Sequence, residues 1–534
     1  MAMALPVLVY YYGHNVPFFD DWMIVSALTG HQPITLQWLW AQHNDHRMPV
    51  TNLLLLGLYQ ISGGDFRAGM FFNAAALILM TILMLRAAFR LRGSMAMTDA
   101  FIPLILLSWR HYGNLLWNWQ VSFLAPTLLA VVAIYLISAR SIPSRSTALG
   151  MAVVVCMLSL MGAVGPAFAA PICAWMVLTA LVLPAKYPGV ACHLCLGSVL
   201  AFCLIGLYFV GYHTSYILQP PADFRAWLRS SLEVLSLSIE LPASEDIAGL
   251  SVRELWGYAA CTILLTGVVL NVVESVRDRN EIVRRSGMAL IIAGSLTLAA
   301  VIGLGRRDGY WARYAVLGAP GLLAVYISTL LRPTCPLGRL LRGILLVSAL
   351  VTAWPNTRDG VAKSKERHDK MVALERDLRA GVPPIVLADH YSRPPIVLHR
   401  REFESEMAAN IRMLKAAGVG EFRRAHDDPV FQTIDVPVVD KTRYFLKNPA
   451  HVYIVRLTYQ CVPGSPGMAP CRVTWSSAAG SMNPQTRQYD CGLHKDGRED
   501  HVLVWVNEPI NQFQIWLDDS HCKWQTTVQV LVRP

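Results

Sequence analysis

Residues 68–85 read Ala-Gly-Met-Phe-Phe-Asn-Ala-Ala-Ala-Leu-Ile-Leu-Met-Thr-Ile-Leu-Met-Leu, and residues 86–92, Arg-Ala-Ala-Phe-Arg-Leu-Arg, follow at once. An uncharged stretch of this length crosses a bilayer as a helix, and arginines directly after it mark a cytoplasmic end. Similar apolar stretches recur near Asp99 to Trp109, Val121 to Ser138, Thr147 to Val164, Ala167 to Leu183 and Leu194 to Tyr212. More lie near Leu255 to Val273, Gly287 to Leu304, Tyr314 to Leu331 and Gly343 to Trp354. With a first helix over Met1 to Tyr12, this predicts a polytopic α-helical membrane protein of about eleven transmembrane helices over residues 1–355. Met1 to Tyr12 has no basic leader and no small-residue cleavage site, so it reads as a helix whose true start lies upstream, not as a signal peptide.

Composition agrees. The mean hydropathy is +0.39, and 54% of the 534 residues are hydrophobic against 15% charged, which excludes an ordinary soluble enzyme. The net charge of +10 follows from arginine-rich loops and does not imply a nucleic-acid partner. The chain has no glycine-rich phosphate loop, zinc-type cysteine spacing or basic-aromatic surface.

Those loops set the orientation. Arg86/Arg90/Arg92, Arg140/Arg145, Lys186, Arg277/Arg279/Arg284/Arg285 and Arg332/Arg339/Arg342 follow every second span, as the positive-inside rule requires. The segments His213 to Arg253 and Gly305 to Arg313, and everything after Pro355, then lie outside. Parity decides the first loop: if both Met1 to Gly13 and Val50 to Ile61 crossed, every basic loop would be outside. Val50 to Ile61 is short for a span and suits an interfacial helix, which makes residues 14–67 one extracytoplasmic loop. The opposite choice puts Asp20 inside, and hydropathy alone does not choose.

Residues 356–429 read as an extracytoplasmic helical linker, with charged helical patterns from Arg358 to Arg379 and Glu402 to Ala417. Residues 430–534 alternate in the manner of strands and predict a small β-sandwich. Cys461, Cys471, Cys491 and Cys522 form an even set there, suited to two disulfides in an oxidising compartment. Cys461 with Cys471 and Cys491 with Cys522 is the preferred of three connectivities. Trp475, Trp505, Trp516 and Trp524 read as core before they read as sugar-stacking surfaces.

Several polar groups are costly where they stand. Asp20-Asp21, in Pro17-Phe18-Phe19-Asp20-Asp21-Trp22, places two carboxylates just after the first apolar stretch. They read either as surface chemistry or as a cap, with Asp20 capping a helix from Trp22 and Asp21 in its first turn. His43, Asp45 and His46 are close enough in sequence to turn toward a metal or an acceptor sugar, or to form a hydrated face. A divalent cation is an open possibility, and no cofactor is implied with certainty. Arg47 beside them is a sugar or phosphate candidate. Gly305 to Tyr314 carries Arg306, Arg307 and Arg313 on the side where positive charge is not expected, which suits phosphate. Arg110 is a second phosphate candidate.

The first ninety residues resemble GT-C glycosyltransferases, the group of protein O-mannosyltransferases, aminoarabinose transferases and mycobacterial arabinosyltransferases. The likeness rests on Asp20-Asp21-Trp22, His46-Arg47-Met48-Pro49 and Gly64-Asp65-Phe66-Arg67 before a long apolar helix. It departs from the family at Arg47-Met48, where proline more often follows the His or Lys directly. Bacterial membrane proteins of this type also share Gln42 to Arg47, Leu115 to Gln120, Gly305-Arg306 and Ala312 to Tyr314. The resemblance implies a multi-pass enzyme of the bacterial inner membrane with its active site and C-terminal domain facing the periplasm. It would take a sugar from a polyprenyl-phosphate donor, in contact with membrane lipid, to a glycan, lipid or protein acceptor. Asp20 aligns with the family's catalytic acid and would be the base, with Asp21 orienting it or holding a metal. His43, Asp45, His46, Arg47 and Trp22 would contact substrate, and Arg306, Arg307, Arg313 and Arg110 the donor phosphate. A transporter or flippase of lipid-linked sugar, or a non-catalytic part of a polysaccharide assembly machine, are the rival expectations.

Overall fold

The computed structural model describes residues 1–183, 187–214, 220–239, 246–247, 250–305, 312–392, 404–424, 432–435, 443–462, 464, 468–477, 486–517 and 523–532. Among them, eight helices are long and apolar enough to cross a membrane, which marks the chain as a membrane protein. The expected eleven are not all of spanning length. The first helix has 9 residues, the helix Arg145–Ser159 has 15, and the stretch from Asp99 to Trp109 forms no span at all. The described chain divides into two compact units, Met1–Asn15 with Pro33–His368, and Val16–Gln32 with Asp369–Pro534.

The first unit is helical. Its main helices are α1 (Ala4–Tyr12), α2 (Pro49–Ile61), α3 (Arg67–Arg92), α4 (Phe101–Leu106), α5 (Val121–Ile137), α6 (Arg145–Ser159) and α7 (Val164–Val182). They continue with α8 (Pro188–Phe209), α9 (Phe224–Ser236), α10 (Val252–Arg277), α11 (Ile282–Gly305), α12 (Ala319–Leu330) and α13 (Pro336–Arg379), whose residues after His368 belong to the second unit. Local chemistry sets many of the ends. Proline occupies the first turn of α2 and α8, where its missing N–H is harmless. Ser144 and Asp223 cap α6 and α9 through the amides of Thr147 and Ala226. Gly93, at φ 81°, closes α3 in the left-handed conformation. The 13-residue α2 matches the short helix expected at Val50 to Ile61.

The basic loops gather at one end of these helices. Arg90 donates to Tyr135 O and Ser138 Oγ, both at 3.0 Å, joining the end of α3 to that of α5. Arg92 pairs with Asp99, whose other oxygen accepts from the Tyr326 hydroxyl at 2.6 Å near the end of α12. Glu274 at the end of α10 holds Arg277 at 3.0 Å and Arg332 at 2.7 Å. Lys186 lies outside the described residues. The buried carboxylates Asp99 and Glu274, each 2% exposed, are therefore paired, as burial of charge demands.

Between Asp99 and Val121 the chain travels in pieces: 3₁₀ turns at Met97–Ala100, Trp109–His111 and Asn118–Gln120, separated by α4 and a single turn at Tyr112–Leu115. Side chains serve the interrupted backbone. Ser108 Oγ accepts from Arg110 N–H at 3.2 Å, and Asn73 Nδ2, from α3, donates to the carbonyls of Asn114 and Trp117 at 2.8 and 3.1 Å.

The second unit contains α14 (Pro384–Ser392), α15 (Glu404–Ala416) and six strands. The strands are β1 (Gln432–Asp435), β2 (Arg443–Val462), β3 (Met468–Ser477), β4 (Thr486–His494), β5 (Asp500–Leu517) and β6 (Lys523–Val532). They form one antiparallel sheet in the order β1-β6-β2-β5-β3-β4, not the two sheets of the expected sandwich. Val455, Leu457, Tyr459 and Cys461 alternate along β2 and are buried, the period-2 pattern of a strand with one core face. A bulge opposite Val452 to Ile454 places Asn507 at φ 50°. Strand β3 pairs with β5 only from Ile510 to Leu517, so the earlier part of β5 presents backbone groups on that side. Helix α14 satisfies them: buried Asp389 accepts from Leu503 N–H at 3.0 Å, and His390 Nε2 bonds Leu503 O at 2.8 Å.

The expected disulfide pairing is replaced. Cys461 is disulfide-bonded, whereas Cys471 and Cys491 carry thiols, so neither Cys461–Cys471 nor Cys491–Cys522 forms; Cys522 lies outside the described residues. Cys471 and Cys491 instead stand directly opposite each other across β3 and β4. Trp475 is core at 6% exposure while Trp516 is 52% exposed, so these two tryptophans divide between core and surface.

Candidate functional site

The acidic pair belongs to the second unit, on a 3₁₀ turn from Phe19 to Ile24. Asp21 is fully buried, and its Oδ2 accepts from Phe18 N–H at 3.0 Å while Asp21 N–H donates to Phe18 O at 3.1 Å. The cap is therefore Asp21, not Asp20. Asp20 is only partly buried. Phe19 before it sits at φ 48°, a left-handed conformation that costs a bulky residue on the order of 1 kcal/mol or more and recurs at functional sites. Trp22 is 2% exposed, packs edge-on against Phe422 at 6.1 Å, and lends its carbonyl to Asn410 Nδ2 at 3.3 Å. It packs as a core residue of this unit.

The histidine segment belongs to the first unit. Gln42–His43 pairs antiparallel with His46–Arg47 around Asn44, which takes φ 50° as asparagine tolerates. Directly opposed residues share a face, so His43 and His46 stand side by side. The His43 ring meets Trp119 at 5.0 Å, and the Asp45 carbonyl accepts from the Tyr208 hydroxyl at 3.3 Å. Burial, then the Asp45 carboxylate, push the Tyr212 phenol above its ordinary range, so it remains a hydroxyl donor at neutral pH. Among the described residues no three His, Cys, Asp or Glu side chains converge as a metal set.

Arg47 is a brace. Its Nε donates to Tyr208 O at 3.1 Å, Nη1 to Trp40 O at 2.8 Å, and Nη2 to Val210 O and Gly211 O at 3.0 and 3.1 Å. Four of the five guanidinium N–H groups are thus committed to backbone carbonyls, those of Tyr208, Val210 and Gly211 at the end of α8 and that of Trp40. Arg110 is likewise interior, donating to Leu237 O at 2.9 Å and to Asn356 Oδ1 at 3.0 Å. These bonds tie the interrupted segment to Leu237 and to α13.

Arg313 is placed differently. Its guanidinium lies 4.9 Å from the Trp117 ring, 5.4 Å from Tyr314 and 6.0 Å from Phe123, a planar cation held by three aromatic rings. Arg306 and Arg307 lie outside the described residues.

Around Trp117 the structure gathers polar groups that sequence reasoning missed. Asn73 and Asn114 are fully buried and Gln120 is 1% exposed. Asn73 Oδ1, both side-chain polar atoms of Asn114 and Gln120 Oε1 have no hydrogen-bond partner among the described residues. Thr51 Oγ1 and Asn52 Oδ1 on α2, which packs on α5, are in the same condition. Native proteins hydrogen-bond such groups, so the buried amides near Trp117, whose ring also packs on Arg313, keep spare hydrogen-bonding capacity. The available signal was Asn73, the lone amide inside the apolar run that opens the fold.

Compared with models of known protein families and with curated protein sequences, the chain matches none.

Proposed function

We propose that the protein is a membrane glycosyltransferase. It moves a sugar from a polyprenyl-phosphate donor to a glycan, lipid or protein acceptor of the cell envelope, on the extracytoplasmic side of the bacterial inner membrane. The observation that carries this reading is Arg313, a cation among Trp117, Phe123 and Tyr314 beside buried amides with spare hydrogen-bonding capacity. A sugar phosphate asks for that combination: a fixed positive charge for the departing phosphate, amides for hydroxyls, and aromatic rings for the sugar's apolar face.

In the reaction, the bond between the anomeric carbon and the phosphate oxygen breaks and the polyprenyl phosphate leaves with the electron pair, its charge stabilised by Arg313. The acceptor oxygen forms the new glycosidic bond and its proton passes to the Asp20 carboxylate. The strained residue before Asp20 and its partial exposure support that role, and Asp21 serves as the cap that holds the turn. The gathering of basic loops at one end of the helices supports an orientation with the His43 to Arg47 segment outside.

A transporter of lipid-linked sugar is the second reading, favoured by the interrupted segment from Met97 to Gln120, because broken helices line transport sites. Purified protein in vesicles with a labelled polyprenyl-phosphate sugar separates the two. Transfer of label to an acceptor supports the enzyme; movement of intact donor between leaflets without transfer supports the transporter.

A further inference from the structure

At the end of the first unit that carries the basic loops, a cavity of about 640 Å³ opens between the α5–α6 loop, the start of α8 and the start of α11. Arg140, Arg145 and Arg284 line it, together with Ser144, Tyr187 and Gly189, and the lining contains no Asp or Glu. Helix α8 separates this cavity from the Arg47 brace: its 22 residues span about 33 Å. The cavity therefore lies at the opposite end of α8 from the Arg47 brace.

The positive-inside rule accounts for arginines at this end, but not for three of them meeting in one concavity. Two further features favour an anion. The N-termini of α6 and α8 both open on the cavity, and aligned helix dipoles favour negative charge there. Among the described residues Arg140 and Arg145 have no ion-pair partner, and Arg284, which pairs with Glu281, keeps a buried Nε without a hydrogen-bond acceptor. Arg145 also lies flat on the backbone of Gly189, where a Cβ would meet its Nε at 2.9 Å. The glycine thus lets the guanidinium fold over the start of α8.

We propose that this cavity binds a phosphate group carried on a small polar body. Its volume exceeds what phosphate alone would fill and suits a glycerophosphate-sized group. Basic pockets between helix ends on the positive side of a membrane protein hold anionic lipid headgroups by the same chemistry, and a soluble phosphate ester is the other source. The inference does not rest on the glycosyltransferase reading.

The test uses the full chain in phosphatidylcholine nanodiscs doped with phosphatidylglycerol, with retained lipid read by native mass spectrometry after release into detergent. Replacing Arg140→Gln and Arg145→Gln together should weaken phosphatidylglycerol binding about thirtyfold. Gly189→Leu, which fills the cavity and keeps every charge, should do the same. Arg339→Gln, an exposed arginine at the same end but not in the lining, should leave binding unchanged. Competition by glycerol 3-phosphate identifies a soluble ester as the ligand; loss of phosphatidylglycerol binding without such competition identifies the lipid. Equal lipid retention in all variants, with no glycerol 3-phosphate binding to the wild type, would overturn the site. So would an equal loss in Arg339→Gln, which would reduce the effect to surface charge.

Discussion

The Asp21 carboxylate accepts the Phe18 amide at 3.0 Å and thereby fixes the turn that presents Asp20. Two adjacent carboxylates are given different environments, one fully buried and tied to its own backbone, the other partly open behind a strained phenylalanine.

Asp21→Ala should therefore act through stability. It leaves a buried amide without its acceptor, a loss of about 1–3 kcal/mol, and thermal unfolding followed by fluorescence should show a lowered midpoint. Asp21→Asn keeps an acceptor oxygen and should lose less, whereas Asp20→Asn should leave the midpoint near that of the wild type.

Arg47 supplies a second stability prediction. Arg47→Gln strips four backbone carbonyls of a charged donor, and the loss should amount to several kcal/mol. Hydrogen exchange should rise at Gln42 to Arg47 and at the end of α8, the segments the side chain joins. Unchanged protection there would refute the brace.

Helix α3 makes topology testable with two substitutions. Ser62 and Ser94 are exposed and flank its two ends, so Ser62→Cys should react with an impermeant maleimide from outside intact cells. Ser94→Cys should react only after permeabilisation. Labelling of both from one side would remove α3 as a span.

The helical class was legible because a spanning helix has only its length and hydropathy to satisfy, and α3, α8, α10 and α11 carry both in one uninterrupted run. The segment after Asp99 was not, since its apolar residues have the composition of a span while Ser108, Arg110 and, from α3, Asn73 serve a backbone broken into turns. The single sheet was equally hidden: alternation in β2 and β5 reveals strands, but not whether a second sheet or helix α14 covers them. Arg47 and Arg313 show the limit for the site. Neither arginine announces its surroundings in sequence: only the structure shows backbone carbonyls around Arg47 and aromatic rings around Arg313.

The central claim is that Asp20 takes a proton during sugar transfer and Arg313 holds the donor phosphate. The most direct measurement is initial-rate transfer from a labelled polyprenyl-phosphate sugar in proteoliposomes, paired with donor binding, for wild type, Asp20→Asn and Arg313→Ala. The account predicts that Asp20→Asn abolishes transfer with donor affinity intact, while Arg313→Ala weakens donor binding about ten- to hundredfold. Wild-type turnover in Asp20→Asn, or wild-type donor affinity in Arg313→Ala, would contradict it.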